Sequence, residues 1–163
     1  MGTEIERKFL LASDAWRGLG KGQPYCQGYI CSGAGRTVRV RTVADQGYLT
    51  IKGPTIGLSR SEYEYQIPFD DARELLTLLC ARPLISKIRY TLTFAGFTWE
   101  VDEFKEENDG LIVAEIELEY PNQEFVMPPW IGMEVSDDPR YRNSNLVMNP
   151  YRNWSETGNL LRR

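Results

Sequence analysis

Histidine is missing from the chain, and only 3 cysteines, Cys26, Cys31 and Cys80, occur among its 163 residues. None of them share the C-x-x-C spacing, so zinc fingers, a His-based catalytic triad and most soft-metal sites are excluded. Any metal held here is a hard one bound by oxygen. Apolar runs of about 18 residues, long enough to cross a membrane, are also missing. The N-terminal MGTEIERKF is charged where a signal peptide carries its apolar segment, so a cytoplasmic protein is expected. Nor is there a block of Lys or Arg: 19 basic against 23 acidic residues give a net charge of -4. The broad basic face of a duplex nucleic-acid binder is therefore not expected.

At 163 residues one core suffices, because a chain of this size buries roughly 70% of its unfolded surface without disulfides or structural metals. A single domain over residues 1–163 is expected, with 154–163 as a loose tail. The dominant signal is period-2 alternation of apolar and charged residues, which marks strands with two unlike faces. Strands are expected at 3–11, 25–31, 37–43, 48–52, 60–67, 87–94, 97–104 and 111–119, with a short ninth at 131–135. Asp45-Gln46-Gly47, Ala95-Gly96 and Asn108-Asp109-Gly110 supply turns between several of them, which suggests an antiparallel meander. Helices are few. Ser13 or Asp14 caps a short one through Trp16; a stronger one starts at Asp70-Asp71, puts Ala72, Leu75, Leu76 and Leu79 on one face and stops before Pro83. A third follows Asp137-Asp138-Pro139 through Tyr141 and Leu146.

The alternation collects charge on one face of nearly every strand: Glu4, Glu6 and Lys8; Arg39 and Arg41; Lys52; Glu62 and Glu64; Lys87 and Arg89; Glu100 and Asp102; Glu115, Glu117 and Glu119. Two arrangements are open. In one, this is the solvated face of an ordinary antiparallel sheet. In the other, about eight strands close into a barrel with the charges inside and the apolar outer face covered by helices. Like charges adjacent along a strand cost energy with nothing bound, which favours the second. The bases would then bind phosphate oxygens, and the paired carboxylates would hold Mg2+ or Mn2+. Without Glu119, eight carboxylates face six bases, a lining of about -2 that would repel a bare phosphate chain, so metal is expected to be required.

In this order and position, the residues resemble the CYTH superfamily, the triphosphate tunnel metalloenzymes. The resemblance rests on ExExK at Glu4, Glu6 and Lys8, RxR at Arg39 and Arg41, Lys52, then Glu62 and Glu64, Lys87 and Arg89, Glu100 and Asp102, and Glu115 and Glu117. It spans residues 3–149 and is strongest toward the short bacterial inorganic triphosphatases. It implies a mainly β (α+β) fold, an eight-stranded antiparallel barrel tunnel with a charged interior and a few covering helices. It also implies metal-dependent hydrolysis of inorganic triphosphate to pyrophosphate and phosphate. Lys8, Arg39, Arg41, Lys52, Lys87 and Arg89 are then the phosphate-binding set. Glu4, Glu6, Glu115 and Glu117 are metal ligands, joined by Glu100 and Asp102, while Glu62 and Glu64 are placed in the catalytic step. Those last four acids are also candidates for ordering the bases or holding the attacking water.

The attacking water is activated either by a second metal or by Lys87 as general base with help from Tyr29, the metal route ranking higher. Tyr29 also reads as a packing residue, as do Trp16, Trp99, Trp130 and Trp154. The three cysteines read as buried thiols, and residues 141–144 either plug one tunnel mouth or form a solvated helix end. The competing functions are an adenylate cyclase, a nucleoside or thiamine triphosphatase, a non-catalytic polyphosphate- or nucleotide-binding module, and a structural β protein. The expected partner is a small-molecule triphosphate, with no duplex nucleic acid and no membrane; a homodimer is admitted.

Overall fold

Alternating sequence produces strands wherever two faces meet different surroundings, and each alternating segment is a strand in the computed structural model, which describes residues 2–154. The strands are β1 (Gly2–Leu11), β2 (Lys21–Gly33), β3 (Arg36–Val43), β4 (Gln46–Lys52), β5 (Ser59–Ile67), β6 (Ile85–Phe94), β7 (Phe97–Phe104), β8 (Ile112–Glu117) and β9 (Ile131–Glu134). β8 stops two residues short of the expected Glu119, which is exposed beyond it. The two-residue Ala95-Gly96 turn has φ of 48° and 81°, the left-handed pair whose twist suits a tight hairpin between β6 and β7.

Their order is β5-β4-β3-β2-β6-β7-β8-β1, and the pairing of Gly2–Ile5 with Ser59–Glu62 closes the eight into an antiparallel barrel. The expected single meander is instead two, β2 to β5 and β6 to β8. Helix α1 (Phe69–Leu78) carries the chain from the first to the second, and β6 pairs with the free edge of β2. β1 does not pair with its sequence neighbour; it lies between β8 and β5, and β9 continues its edge where β5 leaves off. Period 2 determines which face a residue shares but is silent on which strand lies beside it.

The outer face is apolar, and helices cover only part of it. α1 lays Ala72, Leu76 and the following Cys80 on Val40. It approaches closely because β4 offers Gly47, where a Cβ would lie 2.7 Å from that of Ala72. Over β1, β7 and β8 the cover is irregular chain: Trp99 meets Phe9 and Phe125 at 5.6 Å each and Trp130 at 5.9 Å. The short helix expected at Ser13–Trp16 is a turn, with three-residue hydrogen-bond steps from Arg17 to Asp14 and from Leu19 to Trp16. Gly18 at φ 83° ends it before a helical turn can propagate. Of the expected buried thiols only Cys80 is buried. Cys26 is half-buried, and Cys31 is exposed, past the register shift that follows Tyr29.

The inner face changes character along its length. Lys8 is followed two residues on by Leu10, Asp102 by Phe104; Lys87 is preceded by Ile85, and Glu115 by Val113. These apolar residues form one buried cluster with Tyr141, Leu146, Val147 and Trp154. The last four come from a 3-10 turn (Pro139–Tyr141), α2 (Asn143–Met148) and the residues after it. The single late helix expected is thus two pieces, separated by Arg142 in extended conformation. This segment seals one end of the barrel with an apolar floor. Trp154 packs on Tyr141 at 5.1 Å and so belongs to the core; the rest of the expected loose tail, 155–163, lies outside the described residues. No helix among the described residues is long and apolar enough to cross a membrane.

Because Trp99 is fully buried at the centre of the aromatic cluster, Trp99→Ala is expected to cost about 3–5 kcal/mol of stability in urea unfolding. A loss under about 1 kcal/mol would mean that the outer wall does not depend on this packing.

Candidate active site

Strand order separates the charges. Going round the barrel, β7, β8, β1 and β5 are neighbours and carry most of the acids, whereas β4, β3, β2 and β6 are neighbours and carry most of the bases. Thirteen of the predicted charged residues and Tyr29 line one cavity of about 300 Å³. They are Glu4, Glu6, Lys8, Arg39, Arg41, Lys52, Glu62, Glu64, Lys87, Arg89, Glu100, Glu115 and Glu117. The cavity also takes Tyr25, Thr37, Arg60 and Asp138, which the sequence reading did not single out. Tyr25, Thr37 and Arg60 share the parity of Tyr29, Arg39 and Glu62, so the signal was present. Asp138 lies on a loop, where parity gives none. With Arg60, Arg142 and Asp138 included and Asp102 left out, eight cationic side chains face eight acidic ones. The expected lining of about -2 is therefore corrected to a balanced one.

Asp102, expected among the metal ligands, lies behind the cavity wall with 1% of its surface exposed. Arg89 Nε donates to its Oδ1 at 2.7 Å, while Arg89 Nη2 and Lys87 Nζ donate to its Oδ2 at 2.8 Å each. Burial alone would raise this carboxyl; Arg89 and Lys87 outweigh it and hold Asp102 well below the usual carboxylate range. The register explains the fork, since Asp102 sits directly opposite Arg89 on the neighbouring strand. Burial pulls the Lys87 ammonium down to about 7; Asp102 opposes the shift, and Arg89 and Arg41 add to it. Glu115 takes Lys8 at 3.4 Å and Arg89 Nη2 at 3.2 Å, and these cations overcome its burial and lower its carboxyl to about 2.

Nearer the open end, Lys52 Nζ donates to both carboxylate oxygens of Glu4 at 3.0 Å and lies 3.4 Å from Glu62. Tyr25 carries the guanidiniums of Arg41 and Arg89 against its ring, at 4.9 and 5.1 Å. Arg39 donates through Nη2 to Thr50 at 3.1 Å, but its buried Nε has no partner among the described residues. An orphaned guanidinium donor inside a cavity fits an anionic ligand.

Glu6 makes no hydrogen bond or ion pair among the described residues. Burial, then Glu115, push its carboxyl up to about 7 against the pull of Lys8. Glu117 is raised by burial and by Glu4, Glu62 and Glu100. Such mutually repelling, oxygen-only donors fit a hard divalent cation. No group of three or more acidic or thiol side chains among the described residues is gathered closely enough to hold a metal ion by itself. An open wall of this kind suits a cation that keeps waters and takes its remaining oxygens from a phosphate ligand.

A family model describing the CYTH domain matches residues 2–145. An inorganic triphosphatase of Acetivibrio thermocellus is 56% identical over 156 residues, 96% of this chain and 100% of that protein. One from Nitrosomonas europaea is 35% identical over 150 residues, 90% of this chain and 97% of that one. Among solved structures, one described as an inorganic triphosphatase superposes with a TM-score of 0.66 at 32% identity, covering 91% of this chain and 96% of its own.

A raised Glu6 carboxyl means that, between its ordinary value of 4.5 and about 7, the folded chain binds more protons than the unfolded one. Stability is then lost as pH rises through that range. With chelator present, Glu6→Gln is expected to gain stability relative to wild type between about pH 5 and about pH 8, measured by urea unfolding. A difference that stays constant with pH would show that the Glu6 carboxyl is not raised.

Proposed function

Given that the chain belongs to the CYTH domain family, we propose that its barrel hydrolyses inorganic triphosphate to pyrophosphate and phosphate, with Mg2+ or Mn2+, as an enzyme of the cytoplasm. The observation that carries this reading is the opposition of a basic wall and an acidic wall across a cavity closed at one end. A polyanion lies against the first, and a cation between it and the second completes the charge balance.

Arg39, Arg41 and Arg89 give planar, two-pronged donors to non-bridging phosphate oxygens, and Lys8, Lys52 and Lys87 act as point charges along the chain. Glu6 and Glu117, with Glu4 and Glu115 beside them, would hold the divalent ion. When bound, that ion neutralises charge on the transferring phosphoryl group and lowers the pKa of the attacking water. Water adds to the terminal phosphorus, the bond to the leaving pyrophosphate breaks in line, and the water's proton passes to a carboxylate. Orientation of that water is assigned to Glu62, Glu64 and Glu100, a reading supported by their lining the same cavity.

Lys87 stays the second-ranked route to the attacking water. Burial brings its ammonium down to about 7. Its two bonds, to Asp102 and to Asn143 Oδ1 at 2.9 Å, match the two N–H groups of a neutral amine, whose lone pair is then free to take a proton. Asp102 serves as the buried anchor of Lys87 and Arg89. The cavity also favours an inorganic substrate over a nucleotide. Its aromatic lining among the described residues is Tyr25 and Tyr29, and the Tyr25 ring is occupied by the two guanidiniums.

Phosphate release is expected to be fastest with inorganic triphosphate, slower with ATP and thiamine triphosphate, absent in chelator, and lowered at least about 100-fold by Glu6→Ala. Faster turnover of ATP, with cyclic AMP among the products, would replace this reading with the cyclase. No turnover with any metal would leave a binding module.

A further inference from the structure

Gln27 is fully buried on β2, opposite Arg41 of β3 and Ile85 of β6. It is a neutral amide among charges, and all of its bonds are to residues of the cavity. Its Oε1 accepts from Arg41 Nε at 2.9 Å, and its Nε2 donates to Tyr29 Oη and to Asn143 Oδ1, each at 3.2 Å. Asn143 Oδ1 in turn accepts from Lys87 Nζ at 2.9 Å.

Chemistry fixes the direction of each link. Arginine and lysine side chains carry donors only. The oxygen of Gln27 must therefore face Arg41, and the oxygen of Asn143 must face Lys87. What remains to join the two amides is the NH2 of Gln27, donating to an oxygen that already receives Lys87. A carboxylate at position 27 keeps the Arg41 link and loses the donor. An apolar side chain of the same length loses both, and leaves a buried guanidinium nitrogen without its acceptor.

We propose that Gln27 and Asn143 are positioning residues that form an uncharged bridge between Arg41 and Lys87, holding two like charges at a set separation on the basic wall. An acidic side chain in this place would draw both cations onto itself and away from a phosphate chain. The amide pair holds each by one hydrogen bond and leaves its charge for the ligand. Asn143 comes from α2, so the bridge also makes the placement of Lys87 depend on the C-terminal segment that seals the barrel. The inference rests on the triphosphatase reading of the cavity.

The test is a double-mutant cycle, Gln27→Met and Asn143→Ala singly and together, with kcat and KM measured for inorganic triphosphate and folding checked by melting temperature. Each single change is expected to lower kcat about tenfold. If the residues act as one bridge, the double variant also loses about tenfold. Losses that multiply to about 100-fold would overturn the bridge, since two independent contacts behave that way. A single variant with unchanged kcat would overturn it as well. Should Gln27→Met fail to fold, Gln27→Ala, which adds no charge beside Arg41 and Lys87 and leaves room for water to meet the Arg41 guanidinium, runs the same cycle. Wild-type turnover separates the two claims: its absence sinks the triphosphatase reading, whereas multiplicative losses with wild-type turnover intact sink only the bridge.

Discussion

Buried charge is tolerated only where opposite charge and hydrogen bonds meet it, and the interior of this barrel is organised around that constraint. The fork of Lys87 and Arg89 on Asp102 is its deepest instance. The carboxylate is out of reach of solvent, both of its oxygens are engaged, and the two cations it anchors face the cavity. Removing it would leave Lys87 on the neutral Asn143 and Arg89 on its outer partners Glu100 and Glu115. Arg89 reaches on to Glu115, and Glu115 to Lys8, so one chain of ion pairs crosses from the basic half of the barrel into the acidic half.

Where the pairing is incomplete, the chemistry begins. Among the described residues Glu6 makes no hydrogen bond or ion pair, Glu117 faces other acids, and one nitrogen of Arg39 is orphaned. Each of these would be a defect in a structural protein. Grouped on facing walls of one cavity, they describe the ligand by its complement: negative charge against one side, a hard cation against the other. The division into walls follows from β1 crossing to lie between β8 and β5. Had it paired with β2, the glutamates of β1 would stand among the arginines and neutralise them directly.

The inward face was legible because strand parity is strict, and Arg39 with Arg41, or Glu115 with Glu117, cannot face opposite ways. The strand order was not, since alternation carries no information about neighbours. Nor was depth. The Glu100 and Asp102 pair reads as two equivalent acids, yet the register places Asp102 opposite Arg89 and takes it out of the cavity, while Glu100 stays in it. Gln27 does not stand out in the sequence because a neutral residue does not disturb a pattern made of charges; the role proposed for it depends on Arg41, Tyr29 and Asn143, the last more than 100 residues away in the sequence. The loop segments around Trp16 and Phe125 defeated periodicity altogether, because they are held by ring packing on the outer wall and not by a repeat of their own.

The apolar floor gives the reaction an order in time. With Leu10, Ile85, Phe104 and Val113 packed under Tyr141 and Leu146, whatever enters the barrel leaves by the same door. In the proposed hydrolysis, cleavage would leave two fragments behind one opening, the inner one waiting on the outer. Turnover in such a dead end would then depend on the exit queue as well as on bond breaking, and product accumulating outside would compete with incoming substrate for the front place.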